Sequence, residues 1–152
     1  MAEAGTWPDL AGRLTEAGHV LPVRVYYEDT DFSGIVYHAS YLRFMERGRS
    51  DFLRLLGIGH VALAGSGLAF AVRRMSLDFL APARVDDLLE VETRARTLGG
   101  ASLVLEQTVR CGRPLVTAEV LVALIDAGGR PRRWPGALRE ALRAALAPSR
   151  LS

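Results

Sequence analysis

No lysine occurs among the 152 residues: all nineteen basic side chains are arginine. That excludes mechanisms built on a lysine Schiff base or on the lysine of a Walker phosphate loop. Cysteine is almost missing as well. Cys111 stands alone, so no intrachain disulfide can form and a reducing compartment is the simpler expectation. No apolar run approaches the roughly 18–20 residues that a bilayer-crossing helix needs, and the first residues lack the basic-then-apolar order of a signal peptide. Neither sign of charge is in excess. Nineteen basic against seventeen acidic groups leave a formal charge of +2, which carries no general nucleic-acid signal. A soluble cytoplasmic protein is expected. Histidine is scarce too, and His19 and His60 have no partner at metal-ligand spacing, so both read as ordinary surface or loop residues and no metal is expected.

What is present is apolar mass: 49% of the residues, in a chain long enough for one real core. One domain is expected over 21–147, after a loose lead-in over 1–20 that holds at most a short helix near Leu10–Leu14. Leu21, Val23, Val25 and Tyr27 alternate as a first strand. From Ser40 the period changes: Tyr41, Phe44, Met45, Gly48, Phe52, Leu55 and Leu56 share one face of a helix that Gly57 ends. Gly48 costs about 1 kcal/mol relative to alanine inside a helix, so it marks close approach to a sheet. Residues 68–125 read as consecutive strands. The apolar parity slips at Arg73-Arg74, which predicts a bulge. Leu89, Val91, Thr93, Ala95 and Thr97 give the clearest half-buried strand, Gly99-Gly100 a two-residue turn, and Gly112-Arg113 another. Val120–Ile125 is apolar on both faces and reads as a central strand. Pro135–Ala147 reads as a second amphipathic helix through Leu138, Leu142 and Leu146. Cys111 and the tryptophans Trp7 and Trp134 are assigned to packing. The class is α+β, one long helix followed by an antiparallel meander. One helix leaves the other sheet face and the edges poorly protected, which favours oligomerisation.

Three carboxylates, Glu28, Asp29 and Asp31, fall just after a strand and shortly before the long helix. Composition alone leaves a solvated acidic turn as an equal alternative. Against it stand Gly34, the immediate return of Ile35, Val36 and Tyr37, and His38 close to the helix start. The free amides of a helix N-terminus attract an anion and can stabilise a developing oxyanion. A carboxylate beside such a terminus is kept ionised. Together they suit hydrolysis of an activated acyl group.

The block Val-Arg-Val-Tyr-Tyr-Glu-Asp-Thr-Asp-Phe-Ser-Gly-Ile-Val-Tyr-His-Ala-Ser-Tyr over 23–41 resembles the signature of hotdog-fold acyl-CoA thioesterases. It looks most like the Tol-Pal-associated group of the 4-hydroxybenzoyl-CoA thioesterase family. The likeness continues through Phe-Met-Glu-Arg-Gly-Arg (44–49), Arg73-Arg74-Met75 and Ala81-Pro82-Ala83-Arg84-Val85-Asp86-Asp87, and so covers roughly 22–125. The resemblance implies a long central helix wrapped by a curved antiparallel sheet of about five strands. It implies a homodimer, commonly paired into a homotetramer, with active sites between subunits. It makes Asp31 the catalytic aspartate, with Tyr27 and His38 as its companions and the backbone N–H at 38 as donor to the thioester carbonyl. Gly34, Val36 and Tyr37 are then expected to line the substrate site. CoA enters as part of the substrate, without a further cofactor. Acyl carrier protein is a partner the resemblance leaves room for. Phe32 and Ser33 depart from the small residues common after the aspartate, and Phe32 is expected to reshape the pocket.

The remaining candidates carry weaker signals. Asp29 reads as a loop or capping carboxylate, and Glu46 as a structural partner of Arg43, Arg47 or Arg49. Arg73, Arg74, Arg130, Arg132 and Arg133 could meet the phosphates of CoA, since guanidinium forks match phosphate geometry, yet a solvated charge run explains them equally well. Gly65-Ser66-Gly67 precedes a strand, not a helix, and is no phosphate loop. Three rival functions stay open at this point. They are a carboxylate-Mg²⁺ phosphohydrolase on Asp29 and Asp31, a hotdog hydratase or dehydratase, and a non-catalytic acyl-binding or scaffold protein of the Tol-Pal envelope system.

Overall fold

The structure is a computed structural model and describes residues 7–59 and 63–148; His60 lies outside the described residues. One antiparallel sheet carries the fold. Its strands are β1 (Arg13–Leu14), β2 (His19–Arg24), β3 (Leu68–Phe79), β4 (Leu88–Leu98), β5 (Ser102–Cys111) and β6 (Arg113–Asp126), in the order β1-β2-β4-β5-β6-β3. Helix α1 (His38–Leu55) crosses the sheet, and helix α2 (Gly136–Ala144) follows the last strand. Among the described residues the sheet therefore has six strands where about five were expected. The sixth is β1, a two-residue strand paired with β2 at the place expected to hold a short helix. Gly12 at φ +73° and Gly18 turn the chain there, and Thr15 and Gly18 exchange backbone hydrogen bonds. The sheet thus reaches back to Arg13, ahead of residue 21.

Helix α1 buries most of the face expected of it, Tyr41, Phe44, Met45, Gly48 and Phe52, but Leu55 is exposed, Leu56 is half-buried and Leu53 is buried instead. Its backbone comes so close to the sheet that Gln107 Nε2, on β5, donates to the Met45 carbonyl at 2.9 Å. The same amide donates to Thr93 Oγ1 at 2.9 Å, while Gln107 Oε1 accepts from Arg49 Nη1 at 2.9 Å. A Cβ on Gly48 would stand 2.9 Å from Val91 Cγ1 and 3.2 Å from Thr93 Oγ1. Gly57, at φ +79°, follows the helix end as the sequence required.

The bulge falls at Arg73: Val72 pairs with Val122 and Arg74 with Leu121, leaving Arg73 extra. A second slip between Ala95 and Thr97 was not foreseen, and it turns Thr97 outward. The turn after β4 is also displaced. It runs through 99–101 and is closed by the Gly99 N–H donating to the Ser102 carbonyl at 2.8 Å. Strand β6 is internal, between β5 and β3, and buries Val120, Val122, Ala123 and Leu124. Trp134 is buried against Phe70 and donates from Nε1 to the Gly99 carbonyl, but Trp7 is exposed, and Cys111 is exposed at the end of β5. His19, expected at the surface, is buried under α1, where its ring lies 5.9 Å from that of Phe52.

Candidate active site

The chain between β2 and α1 builds the site. β2 stops at Arg24, and Tyr27–Asp29 form a 3-10 turn, so Tyr27 does not continue the strand as its parity suggested. Asp29 closes this turn. Its Oδ2 accepts from the Tyr26 N–H at 2.9 Å, and its carbonyl accepts from the Tyr37 N–H at 2.9 Å and from Ser40 Oγ at 3.1 Å. Buried and engaged on both sides, Asp29 is the capping carboxylate expected.

Residues 30–36 then fold back as a small hairpin. Thr30 bridges Val36, the Asp31 N–H donates to the Ile35 carbonyl at 3.0 Å, and Gly34, at φ +80°, donates back to the Asp31 carbonyl at 3.1 Å. The Val36 N–H donates to the Ala83 carbonyl at 2.8 Å, and Tyr41 Oη accepts from the Ala83 N–H at 3.0 Å. The hairpin is thereby clamped between α1 and the β3–β4 link. The acidic segment is not a free solvated turn.

Helix α1 begins at His38 immediately afterwards. Its cap residue Tyr37 makes no side-chain cap, and no acidic side chain sits in the first turn. The positive end of the helix dipole is left uncompensated. Asp31, Val36, Tyr37, His38, Tyr41, Phe79 and Leu80 line a cleft of about 470 Å³ at this terminus. The His38 ring stacks against Tyr37 at 4.4 Å and meets the edge of Phe79 at 6.4 Å. Asp31 is exposed in the single chain and forms one wall of the cleft. Hydrogen bonds from the Ser33 hydroxyl and amide hold its carboxyl below the usual carboxylate range, against a small opposing effect of burial. An ionised carboxylate, an uncapped helix terminus and an apolar wall thus face one space, which is what addition to a polarised carbonyl requires.

The structure brings together Asp31, His38, Val36 and Tyr37 and separates the other expected residues from them. Tyr27 is largely exposed, and neither it nor Gly34 lines the cleft; Phe32 is fully exposed and does not reshape it within one chain. Arg73 and Arg74 lie about 20 Å along β3 from Phe79. Arg132 and Arg133 are farther still. They follow β6 at its far end, where Arg132 Nη1 pairs with Asp126 Oδ2 at 3.5 Å, and Asp126 is opposite Leu68, roughly 35 Å of strand from Phe79. None of these arginines lines the cleft that holds Asp31. Glu46 belongs to another cavity, of about 130 Å³, shared with Arg49 and apolar residues of β3, β5 and β6. It accepts from Ser50 Oγ at 3.2 Å and favours the charged form of Arg49, which burial opposes. Phe79, Leu80 and Tyr41 were missed as cleft walls. They arrive from a strand end and a helix face, and no local pattern announces such a meeting.

The fold and this cleft define a hotdog thioesterase, and the chain belongs to the Thioesterase superfamily, which its residues 33–118 match. It is 49% identical over 107 residues to the acyl-CoA thioester hydrolase YbgC of Escherichia coli, covering 69% of this chain and 80% of that protein. The acyl-CoA thioesterase YbgC of Haemophilus influenzae is 41% identical over 131 residues, or 84% of this chain and 96% of that one. The crystal structure of a probable thioesterase from Bartonella henselae superposes with a TM-score of 0.75 at 50% identity, covering 78% of this chain and all of the other. Among the described residues no helix is long and apolar enough to cross a membrane.

Proposed function

We propose that this protein hydrolyses the thioester of acyl-CoA to free acid and CoA, with Asp31 as the reacting carboxylate. The observation that carries the reading is the Asp31 carboxylate and the uncapped start of α1 on one cleft. The acyl carbonyl oxygen lies at the His38 amide, where the helix terminus stabilises the oxyanion. Asp31 either attacks the carbonyl carbon, expelling the thiolate and leaving a mixed anhydride that water then cleaves, or takes a proton from a water that attacks instead. The His38 side chain orients Asp31 or that water, or protonates the departing thiolate. Tyr27 joins only if a second subunit or a loop movement carries it to the cleft. The reaction needs no metal or organic cofactor, and CoA enters as substrate.

The 40–49% identity to proteins named as acyl-CoA thioester hydrolases supports the substrate class. A homodimer, paired into a tetramer, suits a cleft so open in one chain, and arginines such as Arg73 and Arg74 would then serve a neighbouring subunit's site. Location in the cytoplasm, acyl carrier protein as a partner and a role beside the Tol-Pal system belong to the same reading.

The test is release of free thiol from a graded series of acyl-CoAs. Asp31→Asn is expected to lower kcat by about 10²–10⁴-fold while the circular dichroism spectrum stays unchanged. Near-native turnover in that variant defeats the assignment. A single turnover in heavy-oxygen water tests the anhydride route: label in the Asp31 side chain marks it, through attack of water on the aspartyl carbon.

A further inference from the structure

Resting on the reading above, we propose that Ser33 is the positioning residue of Asp31, fixing Oδ1 so that Oδ2 is presented to the substrate. Ser33 reaches Oδ1 twice, from Oγ at 2.5 Å and from its backbone N–H at 2.8 Å. Ser33 supplies the largest of the hydrogen bonds that favour the charged carboxyl, and the Ile35 and Asp31 amides add smaller ones. An exposed carboxylate would otherwise rotate freely about its last bond, since the two ends of a carboxylate are equivalent and the torsion is soft. Two donors on one oxygen remove that freedom and distinguish the ends. The hairpin supplies the rigidity behind them, because backbone bonds from Asp31 to Ile35 and from Gly34 to Asp31 close the turn that holds Ser33. The small side chain at 33 therefore orients the reacting group without entering the cleft.

The same two bonds keep the carboxylate ionised in acid, because both donors favour the charged form. Other titratable groups share the surroundings. Tyr37, His38 and Tyr41 line the cleft, Glu28 and Asp29 precede Asp31 in its own segment, and Arg84 belongs to the link that bridges Ile35. The Asp31 carboxyl must therefore be read directly and not from the rate profile alone.

The variants are Ser33→Ala, which keeps the backbone donor and removes the hydroxyl, and Ser33→Thr, which keeps both. In Ser33→Ala, kcat is expected to fall roughly tenfold at neutral pH with KM nearly unchanged, as misplacement of a reacting group predicts. The ¹³C shift of the Asp31 carboxyl is expected to titrate at higher pH than in the parent, and the acid limb of kcat/KM to move the same way. Ser33→Thr restores all three. An unmoved carboxyl titration in Ser33→Ala overturns the inference, whether or not kcat falls, because a merely structural hydroxyl would leave it in place. Asp31→Asn is assayed alongside. If it is inactive while Ser33→Ala is indistinguishable from the parent, this inference fails alone. If it still hydrolyses thioester, the functional reading fails and this inference with it.

Discussion

His19 holds its ring inside the protein with one nitrogen engaged. Nε2 lies 2.7 Å from the Ala11 carbonyl, an acceptor, so the neutral ring carries its proton there and leaves Nδ1 bare, buried and without a partner. Protonation would put a second N–H into that space with nothing to accept it. Burial accordingly lowers the His19 pKa from its ordinary 6.5, and the Ala11 carbonyl and the Asp51 charge only partly oppose this. An unfolded chain takes up the proton near 6.5, whereas the folded chain resists until lower pH. In that window the unfolded state binds more protons, so stability is present above about 6.5 and is lost as pH falls towards the lower folded value. Melting curves between pH 7.5 and 5 are expected to show a steeper loss of Tm for the parent than for His19→Gln. Parallel curves would remove His19 as the cause. None of this was legible in the sequence, where a histidine flanked by Gly18 and Val20 looks like any loop residue; only the pairing of β2 with β4 under α1 buries it. That an acidic segment leads into the start of the long helix was legible, because loop residues and helical periodicity are local; which carboxylate faces the cleft was not. Tyr27 was not, because the turn capped by Asp29 breaks the parity that seemed to place it.

At the scale of elements, Gly48 joins α1 to the sheet. The glycine looks like a helix defect in the sequence, yet it sits where the helix comes close enough to the sheet for Gln107 to reach the Met45 carbonyl and Thr93 together. Gly48→Ala gains up to about 1 kcal/mol of helix propensity. The new methyl meets Val91 at 2.9 Å, and overpacking of this kind typically costs about 1–3 kcal/mol. A net loss of up to about 2 kcal/mol is expected in urea denaturation, with an unchanged m-value; a stabilised variant would show that the sheet can give way. Elements of this kind were readable because period and parity are local. The helix face, the bulge at Arg73 and the buried face of β4 all follow from alternation within ten or so residues. The sixth strand and the slip at Ala95–Thr97 were not readable. β1 is two residues long, too short for any alternation, and a bulge that turns only Thr97 leaves no apolar residue out of place.

The whole molecule has two unequal sheet edges. One is β1, whose two residues offer almost no free ladder. The other is β3, twelve residues long and bonded only to β6, with Val72 48% and Phe79 52% exposed. About 40 Å of unpaired backbone carrying apolar side chains is a template for another strand, and a twofold axis lets two copies of β3 satisfy each other antiparallel. The arginines stranded on this strand and the openness of the cleft gain a use in such a pair. Light scattering is therefore expected to give a mass at least twice 16.5 kDa at micromolar concentration. A proline pair tests the edge itself. Along a strand, successive N–H groups point to opposite sides, so of Ser76→Pro and Leu77→Pro one removes a donor from the β6 ladder and the other a donor on the free side. The first should unfold at lower denaturant. The second should stay folded but elute as a monomer, with thioester hydrolysis reduced at least tenfold if the neighbouring subunit completes the cleft. A folded monomer that keeps full activity would mean that one chain suffices and that no neighbouring subunit completes the cleft.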